Sequence, residues 1–401
     1  MALNTGLPRS PSGTALGLTA VAAALALAAL PTFMVGGLAV QIRADIGLSE
    51  TQLGAAVTLG FLVSALIGPA GGRLSDRLGA RRSVLTGCLV SSLAMAGIGL
   101  SAEGFWSLAF PLMVAGAALA LIDPGLAILI TAVAPPGRQG LAFGIKEASI
   151  PAATLAAGIA VPAVALSHGW RWAFLVGLVP LVAVLAIVPQ IRIDRNRPGK
   201  AVEPVSTPPR HGLLVVAGAT AAASTAASGV SVFLTESAVA MGNSPETAGV
   251  LLAVGSIAGI ASRMGAGAFA DRHDGPQLRL IAVMLAVGAG CMAVVAIAGS
   301  ALLVLGTVGA FAAGWGWSGI LFLSLVRLTP ATPGAAAGIG LAGLAIGNAV
   351  GPLAFGAVAQ YSSFGLAWGA GAALMLAAAL AMRRAQSILE IHYPASPNDR
   401  S

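Results

Sequence analysis

Twelve runs of about twenty predominantly apolar residues follow one another along the chain, separated by short polar gaps. Their approximate limits are 15–38, 51–71, 84–100, 105–133, 140–165, 172–189, 212–236, 247–269, 279–298, 301–326, 334–358 and 364–382. A run of that length crosses a bilayer as a helix, because backbone groups in hydrocarbon have only each other to bond. Composition agrees, with 57% apolar and 9% charged residues and a mean hydropathy of +0.91. A soluble domain carries charge at about a quarter of its positions and could not conceal this much apolar surface. The chain therefore reads as an all-α membrane protein with 12 transmembrane helices. Arg9 precedes the first run, but the length of that run and the eleven after it fit a retained helix rather than a cleaved signal peptide.

Orientation follows from the loops. Of 21 Lys and Arg residues, 17 fall in gaps on one side of the bilayer, Arg43 and Arg171 fall on the other, and Lys146 and Arg263 lie within runs. The side rich in Lys and Arg is the cytoplasmic one, which places both termini in the cytoplasm. The net charge of +7 is thus a topology signal, and nucleic acid is not an expected partner. Arginine outnumbers lysine by 19 to 2 and alanine is abundant, as in a high-GC bacterial gene, so the bacterial inner (plasma) membrane is the expected location.

The longest polar stretch, 189–211, holds Pro198, Pro204, Pro208 and Pro209 with mixed charge, and reads as a cytoplasmic linker. It separates an N-terminal six-helix bundle, 1–188, from a C-terminal one, 212–382, followed by a cytoplasmic tail, 383–401. The halves echo each other. Gly72-Arg-Leu-Ser-Asp76-Arg77 matches Gly267-Ala-Phe-Ala-Asp271-Arg272 at an offset of 195. Gly140-Leu-Ala-Phe-Gly144 matches Gly334-Ala-Ala-Ala-Gly338 at 194, and Gly169-Trp-Arg-Trp172 matches Gly365-Leu-Ala-Trp368 at 196. Six helices per half put both N-termini on one side, so the repeats are parallel and pseudo-symmetric, with a solute site near the midplane between them.

The segment Gly72-Arg-Leu-Ser-Asp76-Arg77-Leu-Gly79-Ala-Arg81-Arg82 resembles the most specific motif of the major facilitator superfamily, and Gly169-Trp-Arg-Trp-Ala-Phe174 is similar to another of its common sequences. The resemblance covers roughly 15–382 and implies a secondary transporter whose halves rock about a central site. It makes Gly72, Asp76, Arg77 and Arg81, with Asp271 and Arg272 in the second copy, parts of a latch on the cytoplasmic side. The alternative is a positively charged topology anchor. Physically, Gly72 permits close helix approach, and Asp76 can accept from N–H groups at a helix start in the other half. The second copy has Asp274-Gly275-Pro276 where basic residues are expected, so the weaker latch is expected there. The antiporter motif of the fifth helix is not intact at Gly158-Ile-Ala-Val-Pro162. Gly144-Ile-Lys146 resembles cyanate-permease-type members.

Charged groups at bilayer depth are costly and mark function or pairing. Asp123 lies about 16 Å in and Lys146 about 12 Å in, at 1.5 Å per residue, on helices joined by a short loop. The two are expected to meet, either as a structural pair or as a cation offered to an anionic substrate. Glu147, about 100° further round the helix, is a candidate proton carrier. Glu236 is expected to be solvated at the outer surface. Arg263 either snorkels to the surface or pairs with an acidic partner, in preference to touching substrate.

The resemblance implies that helices 1, 4, 7 and 10 line the cavity. Candidates there are Thr32 and Phe33 beside Pro31, which can break its helix, Ser228 on a serine face of helix 7, and Trp315 and Trp317; Asn348 on helix 11 is a further one. Helix packing is the competing role for the serines and tryptophans. No Walker loop, metal-spaced cysteines or histidine cluster is present. The expectation is a non-enzymatic symporter of a small organic anion, proton-coupled, without cofactor or metal, acting as a monomer in the lipid bilayer. A multidrug or metabolite efflux pump of the same fold is the alternative. A membrane sensor would want a sizeable soluble domain, which linker and tails do not supply.

Overall fold

A computed structural model describes residues 11–134, 137–191, 210–273, 277–297, 300–328 and 333–392. Within them twelve helices are long and apolar enough to cross a membrane. They are α1 (Gly13–Gly37), α2 (Glu50–Leu78), α3 (Ala80–Ser101), α4 (Phe105–Ile130), α5 (Gln139–His168) and α6 (Trp170–Gln190), then α7 (His211–Ala240), α8 (Pro245–Arg272), α9 (Leu278–Ile297), α10 (Leu302–Leu325), α11 (Gly340–Tyr361) and α12 (Phe364–Leu389). Most of the linker, 192–209, lies outside the described residues, as do Arg192, Arg195, Arg197, Lys200 and the 274–276 segment.

The helices form two bundles of six. In the first, α4 packs on α2 and α3, and α1 on α5; in the second, α7 packs on α11 and α12, and α9 on α12. The bundles meet along two long seams, α5 against α8 and α2 against α11, with α1 against α7 between them. Six crossings per bundle bring both ends of the described chain to one face, here called the terminal face; the other is the far face.

Large apolar side chains such as Leu66, Trp106, Val182 and Ile297 point outward, as a hydrocarbon surround allows. Inside, small residues let backbones approach. A Cβ on Gly71 would strike the Ala120 carbonyl, whereas Gly72 has nothing within 4 Å. The close contact expected at Gly72 is therefore made one residue earlier, about 100° round α2.

Helix ends and breaks follow local chemistry. Ser49 caps α2, accepting from the Gln52 N–H while the Gln52 side chain accepts from the Ser49 N–H, and Ser244 caps α8. Pro31 does not break α1, which runs unbroken from Pro11 to Gly37. Breaks fall instead in α6, which opens at 177–179, and in α10. The latter widens into a π turn over Ala310–Gly314, opens at 315–317, and resumes at Ser318. Three glycines between 309 and 316 reduce the local cost of leaving the α geometry. The last helix continues to His392, past the expected end at 382.

Candidate substrate site and gates

Four charges meet at the seam between the bundles. Lys146 on α5 places Nζ 2.6 Å from Oδ1 of Asp123 on α4, and 3.1 Å from Oε1 of its neighbour Glu147. Glu147 faces Arg263 of α8, with Oε2 3.9 Å from Nη1. The same guanidinium nitrogen donates to the Glu147 backbone carbonyl. The 100° between Lys146 and Glu147 is bridged by the flexible lysine stem. Arg263 does not snorkel to a surface: it is 1% exposed.

The break in α10 explains how Arg263 is held. A helix that loses its register frees backbone carbonyls, and the Trp315 carbonyl accepts from Arg263 Nη2 at 2.9 Å and Nε at 3.3 Å. The guanidinium carbon also lies 4.9 Å from the centre of the Trp315 ring, a cation–π contact strengthened by exclusion of water. Phe33 of α1 (5.5 Å, tilted) and Phe311 (5.6 Å, edge-on) complete the surround of that ring. Trp315 and Phe33 thus come to the charged cluster, but the indole is already engaged and offers no free stacking face. The residue matters as much for its carbonyl as for its ring.

Other candidates fall elsewhere. Trp317 is 1% exposed and donates from Nε1 to the Gly314 carbonyl at 2.9 Å, so it stabilises the break. Ser228 is buried against α11, where a Cβ on Gly351 would strike its hydroxyl, and it donates to the Thr225 carbonyl. Ser224 faces Gly347 in the same way, and Thr235 donates to the Gly36 carbonyl at 2.9 Å. In this structure the face packs against α11 and α1. Thr32 and Asn348 are half-buried on α1 and α11.

The two copies of the Gly-x-x-x-Asp segment differ. Asp271 accepts from the backbone N–H groups of Gly140 (2.7 Å) and Leu141 (2.8 Å), at the first turn of α5. A carboxylate there satisfies two orphan donors and sits at the positive end of the helix dipole. The basic residues missing from this copy have a substitute: Arg327, from the end of α10, donates to the Ala270 and His273 carbonyls at 2.8 Å each. Asp76 is exposed, and no hydrogen bond or ion pair reaches it among the described residues; Arg77 and Arg272 are exposed too. Arg81 is half-buried with its Nε unpaired. The copy expected to be weaker is the one engaged.

Sequence reasoning missed the far-face closure. Arg43 lies in the short helix Ala39–Ile46 and pairs with Glu50 at 2.8 Å and with Glu236 of α7 at 2.5 Å. Glu236 is 4% exposed, so it is not solvated, and its Oε2 has no partner. Arg43 stood out only as one of two basic residues on its side; nothing local to Glu236 pointed to it. Arg171, the other, pairs with Asp45 and donates to the Ala102 carbonyl at 2.7 Å, while Trp170 Nε1 donates to Asp45 at 3.1 Å. These bonds, the Arg171 one foremost, hold the Asp45 carboxyl below its usual range.

Comparisons with known proteins agree with this architecture. Residues 21–325 match the family model described as Major Facilitator Superfamily. The tetracenomycin C resistance and export protein of Streptomyces glaucescens is 31% identical over 186 residues, 44% of this chain and 34% of that protein. A niacin transporter of Acinetobacter baylyi is 29% identical over 46% of this chain and 43% of its own length. A quinolone resistance transporter of Acinetobacter baumannii is 33% identical over 39% and 36%. The matched region spans less than half the length of each of these relatives. Two structures of a bacterial homologue of the human lysosomal transporter Spinster share the fold over nearly all of both chains. The occupied inward-facing form has TM-score 0.66 at 18% identity, covering 96% of this chain and 97% of that one. The unoccupied inward-facing form has 0.68 at 17%, covering 98% and 99%.

Proposed function

The chain belongs to the major facilitator superfamily, and from that premise we propose that it carries a small organic anion across the bacterial inner membrane, together with protons, by alternating access. The terminal face is the cytoplasmic one in this reading, in keeping with the 17 basic residues assigned to it. The bundles 1–188 and 212–382 move against each other, joined by the linker 189–211. One chain encloses the whole site, and a monomer suffices.

The observation that carries the reading is Lys146: a buried cation whose nearest counter-ion, the Asp123 carboxylate, is 34% exposed. Lys146 supplies the charge that holds an anion. Glu147 and Arg263 tie that lysine to the second bundle, so a solute held there touches both moving bodies. Arg263 is fixed by the Trp315 carbonyl and positions Glu147 without needing to meet the solute.

The test uses the full chain in liposomes, with labelled benzoate and nicotinate offered under an inward proton gradient and ethidium as a cationic comparator. Wild type should accumulate at least one of the acids. Lys146→Met should abolish that uptake, by a hundredfold or more on loss of a buried charge contact of about 3 kcal/mol, while the protein still elutes as a folded species. Acid uptake by Lys146→Met at the wild-type rate would remove Lys146 from the site.

Export of an apolar compound is the second reading, favoured by relatives named for export and resistance. Movement of ethidium, with neither acid moved, would put it first.

A further inference from the structure

We propose that Asp123 is the proton carrier of this site, an internal stand-in for the substrate's carboxylate that one proton releases from Lys146 for each monoanion bound. The proposal rests on the anion reading of Lys146 given above and adds the coupling group, the stoichiometry and the charge of the substrate.

The charge count comes first. Asp123, Lys146, Glu147 and Arg263 are two anions and two cations, joined in one line of contacts. The cluster is neutral as it stands. An added anion leaves an uncompensated charge in a medium that penalises it heavily. An anion that arrives with one proton restores neutrality. A dianion with one proton does not.

Exposure then says where the proton goes. The side chains of Lys146 and Glu147 are each 7% exposed and that of Arg263 is 1%, against 34% for Asp123. Asp123 is thus the accessible carboxylate of the four groups, and the others are closed off. Glu147 is held by Lys146 on one side and Arg263 on the other, and its own backbone carbonyl accepts from the same arginine. Among the described residues Asp123 has one partner, Lys146 Nζ. Among the described residues no other charged group competes: α1 has none, those of α2 and α3 (Glu50, Arg73, Asp76, Arg77, Arg81, Arg82) sit toward helix ends, and the Cys88 thiol of α3 is turned to the Ala24 carbonyl of α1. Lys146 and Glu147 from α5 and Arg263 from α8 are the charged groups of the cluster around Asp123.

The exchange is one carboxylate for another. Asp123 takes a proton on its carboxylate oxygen and becomes a neutral acid, its ion pair with Nζ is lost, and the solute's carboxylate occupies the same donor. No bond other than the new O–H is formed. Transfer of the solute with its proton moves no net charge, so accumulation should follow the pH gradient and ignore membrane potential.

The experiment is benzoate binding to the purified full chain in weakly buffered detergent solution, read with a pH dye. Wild type should take up about one proton per benzoate, and its affinity should fall about tenfold per unit rise in pH once Asp123 is ionised. Asp123→Asn should take up none, lose the pH dependence, and bind benzoate more tightly than wild type in alkaline solution, because the competing carboxylate is gone. A merely structural role for Asp123 would not tighten binding. Asp123→Glu should restore proton uptake, and succinate should bind at least tenfold more weakly than benzoate. Benzoate binding without proton uptake in wild type, or proton uptake abolished by Glu147→Gln and kept by Asp123→Asn, overturns the proposal while leaving Lys146 as the anion contact. Wild-type binding by Lys146→Met overturns both.

Discussion

The repeat gives this protein two seams of one design, and they differ. Along α5 and α8 the bundles touch from face to face. At the terminal face, a Cβ on Gly140 would lie 2.5 Å from the Gly267 carbonyl oxygen. In the middle, Thr154 and Ser256 share a hydrogen bond of 2.7 Å, and toward the far face a Cβ on Gly158 would lie 2.7 Å from the Gly249 carbonyl oxygen. Along α2 and α11 the contacts gather at the far face. There the Thr51 N–H donates to Gln360 at 3.1 Å, the Leu353 N–H donates to Thr58 at 3.2 Å, and a Cβ on Gly356 would lie 2.5 Å from the Glu50 carbonyl oxygen. Toward the terminal face Gly68 and Gly72 have nothing within 4 Å, and Asp76 is exposed. One seam is a closed hinge. The other is closed at one end, and matching Gly-x-x-x-Asp-Arg segments sit engaged on the first and, among the described residues, unengaged on the second. Equivalent sequence therefore does not fix equivalent contacts; the relative tilt of two rigid bodies does, because opening one face must break one set of contacts before the other.

Five substitutions probe that contrast. The largest effect is expected from Arg43→Ala, which deserts the buried Glu236 and costs about 3 kcal/mol. The far end of the α2–α11 seam should then exchange amide hydrogens faster over 43–60 and 350–360, while the start of α5 is unchanged. Uniform acceleration across both seams would deny Arg43 its place as a local clasp. Next, Asp271→Asn should weaken two charge-assisted bonds, about 2 kcal/mol in all, and lower the melting temperature. Its repeat mate Asp76→Asn should leave melting unmoved; equal losses would erase the asymmetry. Third is the glycine pair. Gly267→Ala puts a methyl group against the Gly140 carbonyl and should destabilise by about 1–3 kcal/mol, whereas Gly72→Ala should be neutral in the same melting assay.

The smallest effect is expected from pH acting on Asp45, which belongs to neither seam. Its carboxyl titrates below the ordinary value because Arg171 and Trp170 bond the charged form. The stability it contributes is thus complete above the ordinary aspartate value and is lost as pH falls through the lowered one. Melting curves of wild type and Asp45→Asn should differ slightly at neutral pH and converge only in acid. A difference that grows in acid would reverse the sign of the argument.

The sequence made some of this legible and hid the rest for physical reasons. Asp123 and Lys146 could be paired in advance because depth in a helix is counted in residues, and a short loop forces α4 and α5 to be neighbours. The partner of Arg263 could not be, since Glu147 lies in the other bundle, 116 positions away. Ser228 and Trp317 have the composition of lining residues, yet both are turned to packing, because a polar hydroxyl or indole N–H on a helix serves a neighbouring carbonyl as readily as a solute. Glu236 gave no warning of its burial, which Arg43 from the α1–α2 connection makes tolerable.

Sequence alone thus determined the number of crossings and the twofold repeat. Those properties follow from the cost of exposing a peptide group or a charge to hydrocarbon, a cost each segment meets by itself. Tertiary structure decided which Gly-x-x-x-Asp copy is engaged, where Arg263 is anchored and which face is shut. These depend on how two bodies lean together, and no single segment carries that information.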